Sequence, residues 1–290
     1  MKPVAKVLIT DLDNTLWDWF KIWHSGFLPF LKEAEKISGI SANELKTLIR
    51  PVHQEHGTSE YSFLLQSIPE ISKGMTVSEV RKKYAPAIAA YNQGQKPTIK
   101  LYPTVAETLL KIRGRGTRIV GYTDSLAFYT IRRLKKLGLD GVLDVLYSPR
   151  DHEIPPEVDI AHFRMYDKRV YRLEKTQHLY TPKGEAKPNP HILRAIVDAL
   201  GVSRSEVVYV GDSLIRDVKM AQDAGVSDFY AEYGHSHSRP EYKLLQDVSH
   251  WTQVDVDLEQ KLKKEHVQPS VTLAKRFAEL LEQVEFVSYY

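Results

Sequence analysis

Asp11 and Asp13 stand two residues apart where the apolar run Val4–Thr10 gives way to Asp11-Leu12-Asp13-Asn14-Thr15-Leu16. Such a run reads as a buried strand, and its carboxyl end is where open α/β sheets bind ligands. If the chain stays extended there, the i,i+2 spacing turns both acids to the same side. Two carboxylates held that close repel, and a divalent cation is the usual compensation. The chemistry that fits is metal-assisted, with one carboxylate as nucleophile and the other as acid/base.

Three later stretches deliver comparable groups. Tyr122-Thr123-Asp124-Ser125 ends an apolar run with hydroxyls. Thr123 follows the strand directly and is favoured over Ser125. Ala186-Lys187-Pro188-Asn189-Pro190 puts an ammonium group just ahead of a helix start, which favours Lys187 over the nearby Lys183. Val210-Gly211-Asp212 turns tightly and adds a second acid at Asp217. In a parallel sheet these four ends converge on one crevice. Asp11, Asp13, Asp212, Asp217, Thr123 and Lys187 together suit phosphoryl transfer.

The elements that would position them alternate along the chain. Helices are predicted over 104–114, 126–138, 190–201 and 215–225, and strands over 117–122, 142–147, 207–210 and 228–231. That alternation argues for a mostly parallel sheet with helices on both faces. Residues 17–96 read differently. Phe27, Phe30, Leu31 and Ala34 recur at helical spacing, as do Leu45, Leu48 and Ile49, and no strand is evident. Ser41 with Glu44 and Thr76 with Glu79 have the capping-box spacing. This is a helical module inserted after the first strand. Residues 148–186 form a long polar extension with Pro155-Pro156, and the tail over 234–290 carries an amphipathic helix predicted at 271–284. Phe286–Tyr290 is apolar enough to dock, within the chain or on a partner. Trp17, Trp19, Phe20 and Trp23 read as hinge and cap packing. His24, Arg50, His53, His56 and Tyr61 are polar groups of the insert that could meet substrate. His152, His162, His235 and His237 give no clear ligand set and read as solvated loop histidines.

Composition sets the outer bounds. The 290 residues carry a net charge of +3, too little to imply a nucleic-acid or membrane partner. The absence of cysteine excludes disulfides, thiol catalysis and cysteine-bound zinc. The first apolar run is too short for a signal peptide, and nothing approaches the roughly 18 apolar residues of a membrane helix. The expectation is a cytoplasmic protein.

With all four motifs in order over residues 4–16 and 100–232, the chain resembles the haloacid dehalogenase-like hydrolase superfamily, specifically its aspartate-nucleophile phosphatases with a helical C1-type cap. The resemblance implies a doubly wound three-layer α/β/α Rossmann-like core, residues 1–16 and 97–290, and a cap over 17–96. Asp11 would accept the phosphoryl group as an aspartyl-phosphate. Asp13 would protonate the leaving oxygen and then activate water, its main-chain carbonyl also ligating the metal. Thr123 and Asp124 would contact phosphate and Lys187 would neutralise it. Asp212 would bind Mg²⁺ together with Asp11 and Asp13, and Asp217 would support the metal directly or by orienting Lys187. Magnesium suits this oxygen-only donor set. Dehalogenases of the superfamily dispense with the acid at position 13, so its presence favours a phosphatase acting on a small phosphorylated metabolite. A phosphomutase using the same residues is the alternative enzyme. A regulatory protein with a vestigial site is the alternative from another class.

Overall fold

Lys6 splits the opening apolar run. Its N–H donates to the Glu206 carbonyl at 2.9 Å and its carbonyl accepts from Arg118 at 3.0 Å. In the computed structural model, which describes residues 2–155, 158, 167–236, 238–252 and 267–290, the run therefore forms two strands, β1 (Val4–Ala5) and β2 (Val7–Thr10), where the pattern predicts one. Seven strands follow: β3 (Arg118–Tyr122), β4 (Val145–Ser148), β5 (Gln177–Tyr180), β6 (Val207–Gly211), β7 (Ser227–Ala231), β8 (Val271–Leu273) and β9 (Glu285–Phe286). Among the described residues the main sheet has seven strands in the order β5-β4-β3-β2-β6-β7-β8. All its pairings are parallel. Central β2 is buried along its whole length, as a parallel strand covered on both faces must be. Thr10 pairs with Gly121 on one side and Val210 on the other, so the ends of β2, β3 and β6 lie level.

Strand alternation sorts the core. Leu8 faces one cluster with Leu109, Leu134, Phe277 and Leu280, while Val7 and Ile9 face the other with Leu193, Val197 and Met220. These partners come from helices on opposite faces of the sheet.

Between β2 and β3 lie α1 (Trp19–Ser38), α2 (Ala42–His56), α3 (Pro69–Ser72), α4 (Val77–Lys83) and α5 (Ala85–Gln95). Thr76 and Glu79 form the reciprocal capping box at the start of α4. Ser41 caps α2 by accepting from the Glu44 N–H at 3.3 Å. The backbones of α1 and α5 touch at Gly94, where any Cβ would collide with the Ser25 carbonyl. Phe27, Leu31, Leu45, Ile49 and Val80 share a third hydrophobic cluster. Leu245 and Val248 join it from much later in the chain.

The remaining helices are α6 (Val105–Gly114), α7 (Ala127–Lys136), α8 (Pro190–Ala199), α9 (Met220–Ala224), α10 (Tyr242–Val248) and α11 (Leu280–Gln283). Three predicted elements differ. The amphipathic helix expected at 271–284 is instead β8, a tight turn at Phe277–Glu279 and the short α11. Val271-Thr272-Leu273 pairs with β7, and Glu279 accepts the N–H groups of Ala274, Lys275 and Arg276, which ends any helix there. The helix expected over 215–225 opens with a π-helical turn, Leu214–Lys219. The polar 148–186 stretch contains edge strand β5. Its Pro156 and His162, like His237, lie outside the described residues. The C-terminus docks within the chain: β9 pairs with β1, and the Tyr289 hydroxyl donates to the Leu200 carbonyl at 2.5 Å. No helix among the described residues is long and apolar enough to cross a membrane.

Candidate active site

The level strand ends put Asp11, Thr123 and Asp212 at one edge of the sheet, where Lys187 and Asp217 reach Asp11 and Asp212 from later loops. The Asp11 N–H donates to the Val210 carbonyl at 2.8 Å, tying the loop after β2 to β6. Asn14, left-handed at φ 59°, turns that loop back, a conformation asparagine tolerates better than most residues. Lys187 is buried, and its Nζ donates to Asp11 Oδ1 at 2.5 Å and to Asp217 Oδ1 at 2.9 Å. The Tyr209 hydroxyl also donates to Asp217 Oδ1, at 2.7 Å, and the Ser213 N–H to its Oδ2, at 3.0 Å. The π-helical turn returns Asp217 beneath β6. A Cβ at Gly211 would strike its carboxylate.

Asp11, Asp212 and Asp217 each offer an oxygen within 4.8 Å of the others. The donors are hard oxygens without histidine or cysteine, which fits Mg²⁺. Their charge is incompletely balanced. Burial pushes the Asp11 carboxyl up to about 7 despite the opposing pull of Lys187. Burial, with Asp11 and Asp217 as neighbours, raises Asp212 well above the ordinary carboxylate range. Burial works against the Lys187 charge, yet Asp11 and Asp217 hold it well above the usual lysine range. A divalent cation would relieve the excess of acids.

Asp13 stands apart from that trio. Its Oδ1 accepts from Trp17 Nε1 at 2.6 Å, and its Oδ2 accepts from the Ser125 hydroxyl. Burial raises its carboxyl, with Arg133 and Ser125 pulling the other way. Thr123 is buried just past β3, and its Oγ1 accepts the Ser125 N–H at 3.1 Å. Ser125, the alternative hydroxyl of that motif, is thus turned to Asp13. Asp124 points elsewhere: its carboxylate accepts the Lys187 N–H at 3.1 Å and pairs with Arg216 at 3.4 Å. It pins two loops together. Lys183 pairs with Glu153 on the surface.

The sequence reading did not single out several neighbours. Thr15 donates to Asp11 Oδ2 at 3.1 Å, and the Tyr233 hydroxyl reaches the Thr15 carbonyl at 2.8 Å. Thr15 belongs to the first motif, whereas no local pattern marks Tyr233. Arg133, buried on α7, is 3.6 Å from Asp13 and bonds Glu60 of the helical segment. On the pattern alone it is one of several basic residues on an amphipathic helix. His53, a candidate substrate contact, is instead buried, donating from Nδ1 to the Val248 carbonyl at 2.6 Å. His152 is half-buried. It packs edge-on against Tyr61 and Phe63, and burial lowers its imidazole to about 4.

A parallel sheet whose strand ends carry this acid and lysine set defines a class. The chain belongs to the haloacid dehalogenase-like hydrolase family, whose sequence profile matches residues 5–225. It is 26% identical over 232 residues to the glyceraldehyde 3-phosphate phosphatase of Methanopyrus kandleri, covering 77% of this chain and 82% of that one. The enzyme of the same name from Pyrococcus furiosus is 23% identical over 252 residues, covering 83% and 87%. The fold is shared with the 2-haloacid dehalogenase of Pseudomonas syringae, at TM-score 0.55 and 16% identity over 96% of this chain and 97% of that one. It is also shared with a phosphatase of this family from Thermococcus onnurineus, at TM-score 0.52 and 18% identity over 96% of both.

Proposed function

We propose that this protein is a Mg²⁺-dependent phosphatase that hydrolyses a small phosphomonoester through an aspartyl-phosphate on Asp11. The observation that carries the reading is Lys187 bridging Asp11 and Asp217 while Asp212 completes an oxygen cluster beside them. A carboxylate attacking a phosphate dianion faces like-charge repulsion, and a buried ammonium at the nucleophile offsets it. Asp11, Asp212 and the Asp13 main-chain carbonyl would hold Mg²⁺, which would supply further charge neutralisation when bound. Asp217 supports the metal directly or by orienting Lys187, whose Nζ donates to its Oδ1 at 2.9 Å. Thr15 orients the Asp11 carboxylate, and Thr123 hydrogen-bonds the phosphoryl group.

Asp13 donates a proton to the leaving oxygen and then takes one from the attacking water. Its raised pKa suits the first step. Trp17 and Ser125 hold its two oxygens in position for both. Residues 17–96 serve as the cap over the crevice formed by residues 1–16 and 97–290, excluding water and selecting the leaving group. The named activity of the two archaeal relatives supports a phosphorylated metabolite as substrate.

The test is phosphate release from an aryl phosphate and a metabolite panel, with Mg²⁺ and with chelator. Release is expected to require the metal. Asp11→Asn is expected to lower turnover by roughly 10⁴-fold or more while leaving the circular dichroism spectrum intact. Turnover near wild type in that variant would refute the mechanism.

A further inference from the structure

Arg133 is buried and only partly satisfied. Its Nη2 donates to both oxygens of Glu60, at 2.5 Å to Oε2. Trp19 Nε1 donates to that same carboxylate at 2.9 Å, and the Tyr91 hydroxyl lies 3.5 Å from it. Nη1 has no hydrogen-bond partner among the described residues and faces Asp13 Oδ1 at 3.6 Å. A buried donor without a partner is costly. This one is aimed at the residue assigned to protonate the leaving group.

We propose that Arg133 and Glu60 select the substrate's leaving group, accepting an uncharged hydroxyl or carbonyl oxygen near the ester bond and rejecting a carboxylate there. The inference rests on the phosphatase reading, because Asp13 as general acid must lie within hydrogen-bond reach of the leaving oxygen. The next atoms of the leaving group then pass Arg133 Nη1, which can donate to an oxygen they carry. A lone arginine in that place would favour a carboxylate. Here Glu60 already takes up its charge, and Asp13 stands on the other side as a second acid. Lys187 is committed to Asp11 and Asp217 on the phosphoryl side. An added carboxylate would be buried against Glu60 with Arg133 and Lys187 both already paired, whereas a neutral oxygen accepts the Nη1 bond without that penalty.

The experiment compares kcat/KM of the Mg²⁺-loaded wild-type enzyme for matched phosphates differing in that one group, glycerol 3-phosphate against 3-phosphoglycerate and glycolaldehyde phosphate against 2-phosphoglycolate. A preference of at least tenfold for the uncharged member of each pair is expected. Glu60→Gln, which releases the arginine charge, is expected to narrow the ratio at least tenfold. Both substrates are measured on one preparation, so the ratio is independent of how much of the variant folds. If the variant yields no active protein, the wild-type pairs decide. A wild-type preference for the carboxylates, or a ratio unmoved by Glu60→Gln, overturns the charge selection and leaves the phosphatase reading standing. No phosphate release from any of these substrates or from an aryl phosphate overturns that reading and this inference with it.

Discussion

Lys187 and Arg133 are both buried cations, and each faces two carboxylates. They are built by different means. The partners of Lys187 are Asp11, directly after β2, and Asp217, which the π-helical turn after β6 folds back against Gly211, and β2 and β6 are neighbours in one sheet. The partners of Arg133 belong to different layers. Asp13 lies on the loop after β2, while Glu60 lies on the helical segment, within a separate hydrophobic cluster's region of the chain. One cation is held by the sheet and the other by the docking of helices onto it. The crevice floor is therefore as rigid as the sheet, and its wall is only as well defined as the seating of the helical segment.

Substitutions at the floor and the wall test this difference. The largest effect is expected at the floor. Lys187→Met should reduce kcat by about 10³-fold, because Asp11 and Asp217 lose their shared counter-charge and the phosphoryl group loses a donor. It should also cost about 3 kcal/mol of stability by leaving two buried acids unpaired, read from urea unfolding. A double-mutant cycle of Glu60→Gln and Arg133→Gln probes the wall. Each single change is expected to destabilise by about 3 kcal/mol, and the double by clearly less than the sum, since breaking a buried pair costs more than removing it. Strict additivity would mean that the pair does not couple the two layers.

A smaller effect concerns the brace behind the helical segment. His53 on α2 donates from Nδ1 to the Val248 carbonyl of α10, and its Nε2 has no hydrogen-bond partner among the described residues. Burial holds its imidazole down at about 4. The unfolded chain therefore takes up a proton below about pH 6.5 that the folded chain refuses until about pH 4. Stability should fall as pH drops through that window, by about 2 kcal/mol at pH 5, and level off below it. Urea unfolding at pH 7 and pH 5 measures the loss, and His53→Gln should remove this histidine's share while that of His152 remains. The smallest effect separates two nearby lysines. Lys183 makes an exposed pair with Glu153, so Lys183→Ala should leave both kcat and the urea midpoint at wild-type values.

The contrast also explains what could be read in advance. Asp11, Asp13, Thr123, Lys187, Asp212 and Asp217 each follow a strand or precede a helix, and local pattern marks such places. The capping box of Thr76 and Glu79 is legible for the same reason, since it spans one helical turn. The expected helix over 271–284 failed because its apolar spacing is compatible with a helix, while pairing with β7 and the Glu279 turn are settled by distant chain. Asp124 has a suitable type in a suitable place, yet its carboxylate is claimed by Lys187 and Arg216, neither adjacent in sequence.

The order of apolar runs, turn residues and acids was enough by itself to determine a parallel α/β sheet, an inserted helical segment and a cluster of acids with one lysine at the strand ends. Those features repeat over two to four residues, so short-range geometry carries them. Packing between layers sets the rest: Glu60 meets Arg133 across 73 residues, α10 braces α2, and the tail closes on β1. These contacts depend on how separately formed layers bury their apolar faces against one another, and no local periodicity encodes which side chains then meet.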